Sequence, residues 1–366
     1  MAKYRLEELC EFITDGTHQT PEYCEQGGYL FLSSKDVTSR KIDWESAKHI
    51  PATLHDKLYA RLSPQKNDIL LAKNGTTGVA ALVDRDVIFD VYVSLAVLRP
   101  KKTVYPLFLL YAINSPVAKR QFDAGLKGIG VPNLHLSVIR KTKIEVPPFE
   151  DQIIICSKLD KISKIIEKRT LQINALNDLI KARFVEMFGD PVANPNGWQS
   201  IPWEGVFDTK TGKLDSNAAV EGGKYPFFTC AKDWLWIDKY AYDCEALLLA
   251  GNNAAGVYDV KHYKGKFNAY QRTYILQLKD VDWSYSLFKY QLEDRLQYLQ
   301  SQSKGTNTRY LTMGILNSLA FIVPPKEMQE EFTAFVTQVD KSKAVVQKAL
   351  DKAQLLFDSL MQKYFG

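Results

Sequence analysis

No apolar run in the 366 residues approaches the roughly 20 that a membrane-spanning helix needs, so no transmembrane segment is expected. Cysteine is scarce and unpatterned. The five stand at 10, 24, 156, 230 and 244, never as Cys-x-x-Cys, which argues for reduced thiols in a cytosol and against a zinc site. The five histidines (18, 49, 55, 135, 262) fall at no His-x-x-x-His spacing, so no metal site is expected. The opening MAKYRLEELCEF carries acids where an export signal is apolar, and a cytoplasmic location is the expectation. Charge is not extreme either: a net +5 permits nucleic acid as a partner without requiring it.

Catalytic motifs are missing as well. KTGKLD (210–215) has neither the upstream glycine nor the hydroxyl of a phosphate-binding P-loop. The glycines of KNGTTG and GLKGIGVPN do not sit between a strand and a helix as a dinucleotide fold requires. In VPPF (146–149), Val146 occupies the place where an amino-methyltransferase carries Asn or Asp, and a valine cannot hold a target amine by hydrogen bond. No nuclease-like Asp…Glu-x-Lys cluster stands out. These absences together predict a chain that is not itself an enzyme.

What the sequence does contain is an echo. IEVPPFEDQ (144–152) returns as FIVPPKEMQ (321–329), an offset of 177 that also relates Lys127-Gly128 to Lys304-Gly305 and Phe188-Gly189 to Phe365-Gly366. Upstream the offset becomes 178, where LLAKNGTTG (70–78) answers LLAGNNAAG (248–256), and Phe89 and Tyr92 answer Phe267 and Tyr270. YLFLSSKD (29–36) resembles YPFFTCAKD (225–233) at an offset of 196, so the first copy carries about 18 extra residues, VTSRKIDWESAKHIPATL. The chain is read as a tandem duplication. At 46 % apolar residues each copy has ample material for a core.

Each copy closes on a segment with helical period. In the first, Leu159, Ile162, Ile166, Ile173, Leu176 and Ile180 step by threes and fours, and Val336, Val339, Val346, Leu350, Phe357 and Leu360 do so in the second. This is a heptad seam, interrupted by Arg169, Arg183 and Lys343. Pro147-Pro148 and Pro324-Pro325 stand where a helix start tolerates proline, and Gly189 and Gly366 where a helix end favours glycine. A helix over 150–188 would extend about 58 Å at 1.5 Å per residue. A seam on one face needs a partner, and the other copy is the nearest candidate. GDPVANPNGW (189–198) reads as the linker between copies. The predicted organisation is α+β: a mixed domain over 1–146, a long helix over 147–189, a second mixed domain over 190–323 and a second long helix over 324–366.

Both mixed domains also carry polar and cationic side chains on glycine-rich stretches. These are TDGTHQTP (14–21), SSKDVTSR (33–40), AKNGTTG (72–78) and LKGIGVPN (126–133), then KTGKLDSN (210–217), AGNNAAG (250–256), NAYQRTY (268–274) and SKGTNTRY (303–310). Arg, Lys, Asn, Gln, Ser and Thr on loops are the groups that grip phosphates and read base edges.

Two variable domains, each followed by Pro-Pro…Gln and a long helix ending Phe-Gly, resemble the specificity subunit of a type I restriction–modification system. ARFVEMFGDPVANPNGW (182–198) is similar to that family's junction between first helix and second recognition domain, and FITDGTHQTP (12–21) to a common opening of its recognition domains. The resemblance implies that each domain binds one half of a split double-stranded DNA sequence, with the helices as an antiparallel coiled-coil ruler between them. It further implies two methyltransferase (modification) subunits carrying S-adenosylmethionine, and restriction subunits supplying ATP- and Mg-dependent chemistry, with no cofactor in this chain. On that basis the expected DNA contacts are His18, Ser34, Lys35, Lys73, Asn74, Thr76, Thr77 and Lys127 in the first domain. In the second they are Lys232, Asn252, Asn253, Gln271, Arg272, Lys304, Asn307 and Arg309. Three other readings stay open: a coiled-coil scaffold without sequence-specific DNA binding, a methyltransferase with degenerate motifs, and a specificity subunit of a methylation-only or type IIB-like system.

Overall fold

Residues 69–72, Ile-Leu-Leu-Ala, have no polar side chain to present to water, and a strand with such a run must be covered on both faces. A computed structural model of the chain describes residues 2–25, 27–38, 40–126 and 133–366. In it the strand Ile69–Ala72 is buried throughout, in an antiparallel sheet ordered Cys10–Asp15, Leu95–Pro100, Ile69–Ala72, Ala80–Leu82. Side chains alternate across it. Ile69, Leu71, Ala96 and Leu98 enter a core with the helix Pro106–Ile113, whereas Leu70, Ala72, Leu95 and Val97 enter a second core with Trp44, Val83 and Phe89. A smaller sheet places Tyr29–Leu32 between Lys48–Ile50 and Phe89–Val91, the latter pairing being parallel.

The chain divides into two compact units. One comprises Met1–Thr170 with Lys348–Gly366, the other Leu171–Gln347. In the second, a six-stranded sheet runs in the order Phe207–Thr211, Thr273–Leu278, Tyr242–Ala250, Val260–Ala269, Tyr225–Phe228, Leu235–Ile237. Leu247, Leu249 and Leu276 face one core and Ala246, Leu248 and Ile275 the other, the same alternation as in the first unit. The long Tyr242–Ala250/Val260–Ala269 hairpin joins what the first unit keeps as two sheets. The additional residues of the first copy form the short Val37–Thr38/Lys41–Ile42 pairing and lead into a helix, Ala52–Arg61, whereas Lys48–Ile50 pairs with Tyr29–Leu32 in the register in which Leu235–Ile237 pairs with Tyr225–Phe228. That helix sets His55 Nδ1 2.7 Å from Asp90 Oδ2, with the imidazole stacked on Tyr29.

Helices occupy Phe149–Phe188 and Lys326–Phe365. The repeated Pro-Pro…Gln now has a physical cause. Gln152 and Gln329 are 1 % and 2 % exposed. Gln152 Oε1 accepts the Tyr105 amide at 2.8 Å and Nε2 donates to the Pro147 carbonyl at 3.0 Å. Gln329 does the same with the Ser284 amide at 3.0 Å and the Pro324 carbonyl at 2.8 Å. Each glutamine ties the first turn of a long helix to the domain that precedes it, and satisfies backbone groups that would otherwise be buried unpaired.

The far ends of the helices are anchored crosswise. In the first unit Ile155 and Leu159 share a core with Phe357, Met361 and Phe365, and Phe365 packs on Phe108 at 5.2 Å between ring centroids. In the second, Phe184 and Phe188 pack on Phe332 at 5.6 Å each. Within each unit, therefore, the start of one helix lies with the end of the other. The seam residues Leu159, Val339, Val346 and Phe357 are buried and the remainder half-buried, whereas Leu171, Leu179, Val345 and Leu355, off the seam, are exposed. Arg183, a cation on the seam, is paired with Glu186 at 2.9 Å and Glu331 at 2.6 Å.

Candidate nucleic-acid interface

Gly16 ends the strand Cys10–Asp15, and a Cβ there would stand 1.8 Å from the Val91 carbonyl oxygen. That close approach lets the loop after Asp15 cross the loop between Val91 and Leu95: the Thr17 amide donates to Val91 O at 3.1 Å, and the Val93 amide to Thr17 O at 2.9 Å. Two more loops join them. The Tyr92 amide donates to Leu32 O at 2.8 Å, the Ser34 amide to Ser94 Oγ at 3.0 Å, and the Lys73 amide to Ser94 O at 2.8 Å. Leu134 closes the cluster, its amide donating to Lys73 O at 2.9 Å. Segments far apart in sequence are thereby fixed side by side at one end of the sheet.

The second unit repeats this construction. Gly212 stands where a Cβ would meet Ala269 O at 2.0 Å. The Gln271 amide donates to Leu214 O at 2.9 Å, Tyr270 to Phe228 O at 2.9 Å, Gly251 to Arg272 O at 2.8 Å and Leu311 to Gly251 O at 2.8 Å. Bond for bond these match Val93 to Thr17, Tyr92 to Leu32, Lys73 to Ser94 and Leu134 to Lys73. Of the stretches singled out in the sequence, 14–21, 33–40 and 72–78 in the first copy and 210–217, 250–256 and 268–274 in the second take part in these bonds; the loop 92–94 is not among them, and most of 126–133 lies outside the described residues.

Most of the expected contact residues stand on these clusters. His18, Lys35 and Thr76 are exposed and Ser34, Asn74 and Thr77 half-buried; Thr77 Oγ1 donates to Gly75 O at 3.3 Å. Lys232, Gln271, Arg272, Lys304, Asn307 and Arg309 are exposed, and Asn252 and Asn253 half-buried. Asn252 and Asn253 pair with Tyr310 and Arg309 as a short ladder. Asn253 Oδ1 accepts the Ala255 amide at 2.8 Å, and Arg309 Nη1 donates to Gln300 O at 3.2 Å, so both are partly engaged within the protein.

Among the described residues Lys73 is the expected contact that is buried. It is 6 % exposed and its ammonium is hydrogen-bonded to the carboxylate of Asp15, because Ala96 beside it leaves room for the side chain to fold inward. Lys127 lies outside the described residues. Sequence reasoning singled out the stretches that hold Asp15, Gly16 and Gly212 without naming these residues, and passed over Ser94; all four build the clusters. The two glycines carried a signal, since both follow the second strand of their copy at the offset of 196 already seen in YLFLSSKD and YPFFTCAKD. Asn74 faces Asn133 across an isolated bridge, and the side-chain oxygens of both are buried with no hydrogen-bond partner among the described residues. Among those residues no group of three or more His, Cys, Asp or Glu could hold a metal ion, and no helix is long and apolar enough to cross a membrane.

The model of the type I restriction modification DNA specificity domain matches residues 1–176 and again residues 195–354. The chain belongs to that family. Its two matches coincide with the two copies of the repeat, so each copy is one specificity domain with its long helix. The chain is 35 % identical over 156 residues to the type I restriction enzyme EcoDI specificity subunit of Escherichia coli, a stretch covering 41 % of this chain and 34 % of that relative. It is 26 % identical over 170 residues to the MjaVIII specificity subunit of Methanocaldococcus jannaschii, covering 44 % and 39 %. The matched stretches thus span only about a third of the length of these relatives. The crystal structure of a type I restriction-modification system S subunit from M. genitalium shares the fold, with a TM-score of 0.63 at 16 % identity over 100 % of this chain and 96 % of that one.

Proposed function

We propose that this specificity-domain protein reads a split sequence in double-stranded DNA, one half with each loop cluster, as the specificity subunit of a type I restriction–modification complex. The observation that carries the reading is the duplication of the cluster itself. The same backbone bonds hold the same loops at the end of the sheet in both copies, yet the side chains on them differ: Val93 against Gln271, Asn133 against Tyr310, and a buried Ser94 against an exposed Arg272. A constant scaffold with variable presented groups suits two half-sites of different sequence. Lys35, Lys232, Arg272 and Lys304, exposed at the clusters, supply the phosphate contacts that make such binding strong and salt-dependent.

In this reading the seam residues bring the long helices together as an antiparallel coiled coil, whose length separates the half-sites as dimer geometry does in other DNA readers. Two modification subunits bearing S-adenosylmethionine dock on the scaffold, and restriction subunits with their ATP and Mg join them, in the cytoplasm. This chain contributes sequence reading and none of the chemistry. The test is genome-wide adenine methylation in cells carrying the modification subunit, with and without this chain. A split motif present only with the chain is the expected result and yields both half-sites and the spacer. A stable complex that leaves methylation unchanged would overturn the reading in favour of a scaffold.

A further inference from the structure

The two copies fill one position in two ways, and the difference assigns a role to a buried ion pair. Residues 73 and 251 are matched by their backbone bonds, to Ser94 and Leu134 in one unit and to Arg272 and Leu311 in the other. Asp15 and Thr211 are matched by register, facing Ala96 and Tyr274 on the neighbouring strand. In the second unit this node is uncharged. A Cβ at Gly251 would lie 2.3 Å from Arg272 O and 3.0 Å from the Tyr274 ring, and the Tyr274 hydroxyl fills the space and donates to Leu311 O at 3.1 Å. In the first unit Ala96 leaves that space open, and it holds the Lys73 ammonium against the Asp15 carboxylate, with side chains 8 % and 13 % exposed.

Removing two charges from water is costly, and an uncharged filling of the same volume is commonly as stable or more so. The second copy shows that the same backbone arrangement forms without the charges. What the pair does, and the uncharged node does not, is reach outward. The other carboxylate oxygen, Asp15 Oδ1, lies 3.5 Å from Nε2 of His18, whose side chain is 76 % exposed. Arg61 Nη2 donates to the Asp15 carbonyl at 3.0 Å and fixes the backbone from behind. In the second unit the residue after Leu214, the match of Thr17, is Asp215, which caps its own turn by accepting the Ser216 amide at 2.6 Å and presents no ring.

We propose that Lys73 and Asp15 are positioning residues for His18: the buried pair holds the imidazole in one orientation on the first loop cluster, where it reads one base position of the first half-site. This rests on the DNA-reading function proposed above. The test uses the full chain with its modification subunit and measures the preference at every position of both half-sites on a randomised duplex library. His18→Gln, at an exposed residue, relaxes one position of the first half-site by about ten- to a hundredfold. Asp15→Leu combined with Lys73→Met replaces the pair by an apolar one, keeps cooperative unfolding, and relaxes that same position while the second half-site and the spacer stay as in the wild type. Asp15→Thr, Lys73→Gly and Ala96→Tyr together import the second unit's node and give the same relaxation. The proposal is overturned if His18→Gln leaves every position unchanged, or if the paired variants fold and keep the position that His18→Gln relaxes. It is equally overturned if neither combined variant folds, since the fold would then demand the pair. Absence of any split preference in the wild type is a different result, and removes the DNA-reading function itself.

Discussion

At residue 16 a single methyl group has nowhere to go. Its nearest neighbour would be the Val91 carbonyl oxygen at 1.8 Å, and at residue 212 the Ala269 carbonyl oxygen at 2.0 Å, both backbone atoms that cannot rotate aside. Gly16→Ala and Gly212→Ala therefore force two loops apart, at about 1–3 kcal/mol each by analogy with overpacked cores. Denaturant midpoints should fall in both variants, each with weakened DNA binding; unchanged midpoints would show that the loop crossing is not tight. The same scale offers a footprint in the native thiols. Cys230 is half-buried, its Sγ 3.5 Å from the Arg272 carbonyl, in the second cluster. Cys244 sits near the opposite end of the strand Tyr242–Ala250, where burial pushes its thiol up, while Cys10 and Cys156 are pushed up to about 12 and stay silent. Cognate DNA should slow alkylation of Cys230 severalfold and leave the slower reaction of Cys244 unchanged. Equal protection of both thiols would place the DNA elsewhere. Lys73 marks the limit of reading at this scale: its loop was legible as a site, but its partner Asp15 is 58 residues away in sequence and nothing local announces that the charge is already spent.

Among the elements, the helices were the legible part. A period of three and four repeated over three heptads or more in each copy, bounded by Pro-Pro and Phe-Gly, leaves little else for 149–188 and 326–365 to be. The sheets were not legible, because strand order depends on pairings distant in sequence; the parallel partnership of Tyr29–Leu32 with Phe89–Val91 joins segments about sixty residues apart. The repeated glutamine belongs between these cases: its recurrence was visible, its purpose was not. Gln152→Met and Gln329→Met keep the volume and delete the amide, leaving a backbone N–H and a carbonyl buried without a partner. Each loss should cost roughly 2–4 kcal/mol. Because the two sites lie in different units, the costs should add in the double variant, as urea denaturation would show. A pair of variants as stable as the wild type would mean that water reaches both helix starts.

At the scale of the whole molecule, neither copy of the repeat closes its own core. The first unit takes Phe357, Met361 and Phe365 from the second copy, and the second takes Phe184 and Phe188 from the first. Each long helix is consequently anchored by its first turns in one unit and by its last turns in the other. This determines how the ruler must be tested. Removing residues 168–174 and 345–351 takes one heptad from each helix, preserves the seam period, and leaves Gln152, Phe188, Gln329 and Phe365 with their own neighbours. At 1.5 Å per residue each helix shortens by about 10 Å, equivalent to about three base pairs at 3.4 Å. Methylation profiling of cells carrying the shortened chain should return both half-sites unaltered with a spacer reduced by up to about three base pairs. The half-sites stay because the backbone bonds that build each loop cluster join strand ends and loops of one unit to one another. A changed half-site with the old spacer would overturn the separation of reading from measuring, and with it the role proposed for the helices.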